Sequence, residues 1–89
     1  MKVILEGNKI KTIEEFHKEI GKQLEFPIYY GNNLDALWDC LTSWVDPPVN
    51  IEWNDFELSK EYLGEFAIKA RLIFEDAEKE IEGFKIEYH

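Results

Sequence analysis

The sequence contains little cysteine and no long hydrophobic run. Cys40 is the only cysteine among 89 residues, so no internal disulfide can form and a thiolate metal site is excluded. Because Cys40 lies in the middle of a predicted helix, we expect a small buried hydrophobic side chain rather than a reactive thiol. No segment is long and apolar enough for a signal peptide or a membrane span. The sequence therefore predicts a cytoplasmic protein that does not bind membranes.

Basic residues are also scarce. Ten lysines and arginines stand against nineteen acids, which gives a net charge of −9. Nucleic acids and anionic membrane surfaces attract the opposite charge, so the composition excludes both as partners. A strongly acidic surface favours a basic protein partner, which it attracts over a long range. The alternative is that the charge serves solubility alone.

Signals of catalysis are few. The sequence has no glycine-rich phosphate loop, no metal-ligand spacing and no serine-centred turn motif. His17 is placed on the flank of a predicted helix, without a nearby nucleophile. Asp35 and Asp39 are one helical turn apart, but an open helix face offers no desolvated cleft for acid–base chemistry. We expect a protein without enzymatic activity, metal or cofactor, and its length indicates a single domain over residues 1–89.

Three short segments alternate between apolar and polar residues, which predicts half-buried strands. They are Lys2–Glu6, Val49–Trp53 and Phe84–Tyr88. Helical spacing predicts four helices between the strands. The first follows Thr12, the second runs from about Asn33 to Trp44 or Val45, the third begins at Asn54 or Asp55 and ends before Gly64, and the fourth runs from about Glu65 to Ile81. In the fourth helix we expect an apolar stripe of Phe66, Ala70, Ile73, Ala77 and Ile81.

The element order β-α-α-β-α-α-β predicts a parallel sheet, because helical crossovers join parallel strands and are right-handed in nearly all proteins. The alternation within each strand indicates that only one face of the sheet is covered. Right-handed crossovers on one face step in one direction, so the predicted strand order is 1-2-3. The predicted fold class is therefore α/β with two layers, a three-stranded parallel sheet and about four helices on one face. A doubly wound sheet would instead bury Lys85 and Glu87.

The candidate surface with the most aromatic and acidic residues lies between Tyr29 and Trp44. Two tyrosines precede Gly31, which permits a sharp turn, and Asn33 is a good N-cap for the helix that follows. Helical spacing places Asp35, Asp39 and Thr42 on one side of that helix and its leucines on another. Asp35 has an alternative role, since an acid in the first turn stabilises the helix dipole. Asp39 lies beyond the first turn and has no such role. An ordinary solvent-exposed helix face would also explain two acids four residues apart.

The aromatic and distant acidic residues admit alternatives as well. Two adjacent tyrosines in a loop cannot easily both be buried, so at least one of Tyr29 and Tyr30 should be exposed. Trp38 and Trp44 either join the candidate surface or pack in the core. Asp76 and Glu80 are four residues apart on the last helix and form a possible second acidic site, or an ordinary solvated face.

One run of sequence resembles the hallmark of a known family. From Pro27 to Thr42 it reads Pro-x-Tyr-Tyr-Gly-x-Asn-Leu-Asp-Ala-Leu-Trp-Asp-Cys-Leu-Thr, which is similar to the barstar family of intracellular inhibitors of secreted barnase-type ribonucleases. The likeness extends over essentially the whole chain. It includes the order of the elements, the Glu52-Trp53 pair and Phe56.

The resemblance implies a two-layer α/β fold and a 1:1 complex, without cofactor, in which the second helix and the loop before it block the nuclease active site. Asp39 would be the central anchor, its carboxylate standing where the RNA phosphate binds. Asp35 would support it, and Tyr29 would lie against the catalytic histidine of the nuclease. The implied partner-binding set is Tyr29, Tyr30, Asn33, Asp35, Trp38, Asp39, Thr42, Ser43, Trp44, Asp76 and Glu80.

The sequence departs from the family pattern at several positions. Ser43 replaces a common glycine, Asp76 is one methylene shorter than the usual glutamate, and Pro47-Pro48 replaces an aromatic-proline step. We expect a monomer when the protein is free. Two other functions remain open, a barstar-like module for a different basic nuclease toxin or regulator, and an acidic scaffold that self-associates through its exposed aromatic residues.

Overall fold

A computed structural model describes residues 1–89. Its elements are β1 (Lys2–Glu6), α1 (Ile13–Gln23), α2 (Leu34–Ser43), β2 (Val49–Asn54), α3 (Phe56–Leu63), α4 (Glu65–Glu80) and β3 (Phe84–Tyr88). The strands are parallel and their order is β1-β2-β3. The predicted two-layer α/β fold is therefore confirmed.

The strands alternate as their sequences predict. The residues on one face of the sheet are buried beneath the helices, while Lys2, Lys85 and Glu87 on the other face are exposed. The buried set is Val3, Leu5, Val49, Ile51, Trp53, Phe84 and Ile86. None of the helices combines the length and the apolarity that a bilayer crossing requires.

Trp53 of β2 lies at the centre of the core and is fully buried. Its ring meets those of Phe56 and Phe74 edge-to-face, with centroids 4.9 Å and 5.8 Å away, in the favourable arrangement for aromatic pairs. The indole N–H donates to the Ser59 hydroxyl at 2.8 Å, so the one polar group of this side chain is satisfied. These contacts fix α3 and α4 over the middle strand.

The predicted apolar stripe of α4 is partly wrong. The fully buried residues of this helix are Ala67, Ala70, Phe74 and Ala77, while Phe66, Ile73 and Ile81 are half-buried at the margin of the core. The helix packs against α2, α3 and β3 together, so it buries a wide face. The predicted stripe contains Ala70 and Ala77 but misses Ala67 and Phe74, which belong to this wider buried face.

Side chains from two helices bind the outer strands. The Gln23 amide accepts a hydrogen bond from the N–H of Ile4 at 2.9 Å and donates one to its carbonyl at 2.8 Å. Glu19 accepts from the same amide nitrogen at 2.6 Å and orients it. At the other edge of the sheet, the Glu78 carboxylate of α4 accepts a hydrogen bond from the N–H of Ile86 in β3 at 3.0 Å. The main chains of β1 and β3 thus each have a partner on the side that faces away from β2.

Candidate functional site

Helix α2 is held rigidly at its start and along its buried side. The Asn33 side chain accepts a hydrogen bond from the N–H of Ala36 at 2.8 Å, as an N-cap does. Asn32 before it adopts a left-handed conformation with φ of 53°, which turns the chain into the helix. Leu37 and Leu41 are buried, and the helix packs against α4. The outer side of α2 therefore keeps a fixed orientation.

The two acids of this helix face solvent without partners. Asp35 and Asp39 are exposed, and neither carboxylate forms an ion pair or a hydrogen bond within the chain. Thr42 and Ser43, further along the helix, are exposed as well. The Thr42 hydroxyl donates to the carbonyl of Trp38 at 2.8 Å, so it is anchored to the helix. Asp35, Asp39, Thr42 and Ser43 form what we call the α2 surface.

The loop before α2, residues 24–33, exposes one tyrosine and partly buries the other, and we call it the tyrosine loop. Tyr29 is 78% exposed, whereas Tyr30 is half-buried against the ring of Phe26. The Tyr30 hydroxyl shares a hydrogen bond of 2.6 Å with Nδ1 of His17 on α1. Burial raises the pKa of Tyr30, and the Cys40 thiol adds to the rise. Tyr30 thus fastens the loop to α1 while Tyr29 projects from it.

The two tryptophans near α2 differ. Trp38 is half-buried and packs against the core, so it supports the helix from one side. Trp44 is 48% exposed, and its indole N–H donates to the carbonyl of Glu25 at 2.9 Å. The alternative that Trp44 is a core residue is therefore wrong. Its hydrogen bond instead joins the end of α2 to the beginning of the tyrosine loop.

The second acidic pair lies on a neighbouring helix. Asp76 and Glu80 are exposed on α4, which packs against α2. Neither carboxylate has a partner within the chain. Their participation in one surface with Asp35 and Asp39 stays a prediction.

Cys40 is half-buried rather than fully buried. Burial raises the pKa of its thiol, and the negative charge of Asp39 raises it further. The thiol therefore remains protonated at neutral pH, so this residue is not a nucleophile.

Sequence reasoning misplaced His17, which is only 2% exposed. Its ring stands edge-on to Phe16 and Phe66, with centroids 5.5 Å and 5.4 Å away. Burial lowers the pKa of His17, and its Nε2 has no hydrogen-bond partner. His17 precedes Ile20 by three residues, and this spacing could have indicated its position on the buried side of α1.

Ile28 was missed as well. It is fully exposed between Pro27 and Tyr29, which is unusual for a large apolar residue. The turn that carries it is closed by a hydrogen bond of 2.9 Å from the N–H of Tyr30 to the carbonyl of Pro27. An exposed aliphatic residue in a loop already singled out for its tyrosines is the signal that could have found it.

Cavities do not define this surface. The largest, of about 480 Å³, lies between β1 and α1, away from α2, and is lined mainly by charged residues such as Lys18 and Glu19. A shallower one of about 340 Å³ opens beside the first turn of α2 between His17, Asn33 and Asp35. Neither cavity includes Asp39, Thr42 or Ser43, which favours another protein over a small substrate as the partner.

Comparison with known proteins agrees with these features. A family model described as Barstar (barnase inhibitor) matches residues 1–89. The chain is also 43% identical over 86 residues to a protein of Bacillus subtilis (strain 168) named "Putative ribonuclease inhibitor YrdF", covering 96% of this chain and 94% of that protein. From these two matches, the chain belongs to the barstar family and is an inhibitor rather than an enzyme.

Proposed function

We propose that this protein inhibits a barnase-type, guanyl-preferring secreted ribonuclease by inserting the α2 surface and the tyrosine loop into its active site. The observation that carries the proposal is the state of Asp39, an exposed carboxylate with no ion pair or hydrogen bond of its own on a rigid helix. Membership of the barstar family and the name of the relative support a ribonuclease as the partner.

Charge complementarity explains how such an inhibitor works. A ribonuclease holds cationic side chains where the phosphate of RNA binds. A carboxylate at that place meets charges that are already arranged, and Asp35 one turn earlier extends the negative field. The net charge of −9 accelerates encounter with a basic enzyme, and salt screens this attraction.

Rigidity explains how the inhibitor keeps its affinity. Binding loses free energy when loops and side chains must be ordered at the interface. Here Asn33 caps the helix, Tyr30 ties the loop to His17, and Trp44 ties the helix end to Glu25. The surface is therefore ordered before the nuclease arrives.

The test is a titration of the protein into a barnase-type ribonuclease at fixed concentration, with cleavage of a fluorogenic RNA as the readout. We expect activity to fall linearly to zero at one inhibitor per enzyme, with slower association at high salt. A basic ribonuclease of unrelated fold serves as the control for non-specific charge attraction and should stay active. Undiminished cleavage at equimolar inhibitor would refute the proposal.

A second candidate function is the inhibition of a different basic nuclease through the same surface. Ile28 and Ser43 favour it. Ile28 is an exposed apolar residue of the loop before α2, and Ser43 of the α2 surface replaces the glycine that is common in the barstar pattern. A panel of basic nucleases with different base preferences separates the two candidates. Inhibition confined to a nuclease that does not prefer guanine would support the second.

A further inference from the structure

The uncovered face of the sheet carries a group of three metal-ligating side chains. Glu52 on β2 is the register partner of Glu87 on β3. His89 follows Glu87 by two residues, so the alternation of the strand places it on the same face. One ligand atom from each of the three residues lies within 4.8 Å of the other two.

The main chain holds this group in position. The N–H of His89 donates to the carbonyl of Trp53 at 3.0 Å, and its carbonyl accepts from the N–H of Asp55 at 2.9 Å. The main chain of His89, directly after β3, is therefore hydrogen-bonded to Trp53 and Asp55 through both its N–H and its carbonyl. Glu52 and Glu87 project from two hydrogen-bonded strands and His89 directly follows the second of them, which favours a defined geometry.

The charges around the group are incompletely balanced. Like charges directly opposite each other on neighbouring strands are destabilising, and Glu52 and Glu87 are such a pair. Lys2 on β1 reaches Glu52 with 3.0 Å between Nζ and Oε1, but Glu87 has no ion pair. A cation between the two carboxylates would remove this repulsion.

We propose that Glu52, Glu87 and His89 bind a divalent transition-metal ion, with Zn²⁺ as the best match. Ca²⁺ and Mg²⁺ select oxygen ligands, whereas an imidazole nitrogen beside two carboxylates suits Zn²⁺ and its neighbours in the first transition row. Tetrahedral zinc at about 2.0–2.2 Å from each ligand needs ligand atoms about 3.3–3.6 Å apart. Rotation of the exposed Glu87 and His89 side chains closes the difference from the present spacing.

Lys2 competes with the metal, because its ammonium group contacts Oε1 of the Glu52 carboxylate at 3.0 Å. Removal of Lys2 therefore strengthens metal binding, while removal of Glu87 or His89 weakens it. The site lies on the sheet face opposite the helices and thus away from α2. It does not depend on the proposed inhibition of a ribonuclease.

The experiment uses the untagged full chain and zinc chloride, with isothermal titration for affinity and thermal unfolding for stability. We expect one ion per chain and a rise in Tm of several degrees, because zinc binds the folded state. Glu87→Gln and His89→Ala should each weaken zinc binding by about tenfold or more. Lys2→Met should tighten it several-fold.

Two variants control for other modes of binding. Glu61→Gln removes an exposed acid of α3, and Cys40→Ser removes the thiol; both should bind zinc as the unchanged protein does. Glu87→Gln also relieves a repulsion, so its circular dichroism and metal-free Tm verify that it is folded. The proposal is overturned if millimolar zinc leaves Tm unchanged, if Glu87→Gln retains full affinity, or if sedimentation shows the ion bridging two chains.

Discussion

Two groups of carboxylates in this molecule behave in opposite ways. Several acids on the sheet and on α1 and α4 contact their own chain. Glu52 binds Lys2, Glu78 binds the main chain of β3, and Glu15 completes the capping box of α1. On α2, Asp35 and Asp39 contact nothing in the chain. The first group stabilises the fold, whereas the second is available to another molecule, so net charge alone does not locate a binding surface.

The largest expected effect concerns the second group. Asp39→Ala should weaken binding of the ribonuclease by more than about 2 kcal/mol, or about thirtyfold, a magnitude known in part from the barnase–barstar complex itself. The free energy of unfolding should change by less than about 0.5 kcal/mol, since the carboxylate has no internal partner. Inhibition constants and urea unfolding measure the two effects. Glu80→Ala is the matched control with the smaller loss, and equal losses would refute Asp39 as the centre.

The next effect concerns His17, the buried group that holds the tyrosine loop. Burial lowers its pKa in the folded chain below the ordinary 6.5, so the unfolded chain binds more protons at acid pH. The free energy of unfolding should therefore fall as pH drops from 6.5 to the lowered pKa, and this contribution should level off below it. The only acid lining the cavity beside His17 is Asp35, which faces solvent and compensates a buried cation poorly.

Urea unfolding between pH 8 and pH 4.5 tests this expectation, with His17→Gln as the comparison. The variant keeps a polar side chain near Tyr30 but does not titrate, so its stability should depend less on pH in that window. If the free energy of unfolding depended on pH in the same way for both proteins, the pH dependence could not be assigned to His17.

A smaller effect concerns the first group of carboxylates. Glu78→Ala should lower the free energy of unfolding by about 0.5–1.5 kcal/mol, because the N–H of Ile86 loses its partner. Inhibition should remain unchanged below the unfolding temperature. Denaturant unfolding with a parallel inhibition assay measures both. A loss of inhibition in the folded variant would show that the two groups are not separate.

The smallest effect concerns Asp76, at the edge of the proposed interface. Asp76→Glu restores the longer acid of the barstar pattern and should strengthen binding to a barnase-type ribonuclease by at most about 1 kcal/mol, as for exposed ion pairs. Dissociation kinetics at low salt resolve a change of this size. Weaker binding of the variant would instead favour a partner adapted to the shorter side chain.

The architecture and the α2 surface were predictable because local signals agree there. Period-two alternation specified which strand residues are buried, and Asn33 marked the start of α2 before a leucine stripe. These patterns act over a few residues and leave little choice of fold. The barstar-like motif then assigned roles that the pattern alone does not assign.

Other features depend on contacts between distant segments. The position of His17 is decided by the rings of Phe66 and Tyr30, which reach it from another helix and from the loop. The exposure of Trp44 depends on the carbonyl of Glu25, nineteen residues earlier. The wide buried face of α4 follows from three neighbouring elements. Apart from the spacing of His17 and Ile20 on α1, no local pattern in the sequence indicates these contacts.

The bonds from Gln23 to β1 and from Glu78 to β3 have a consequence for assembly. A strand from another chain extends a sheet by pairing with free amides at its edge, a route to aggregation that native proteins block. Here the central amide of each outer strand is already engaged. Growth of the sheet by strand addition is therefore disfavoured at both edges, which leaves helices and loops as the means of recognition.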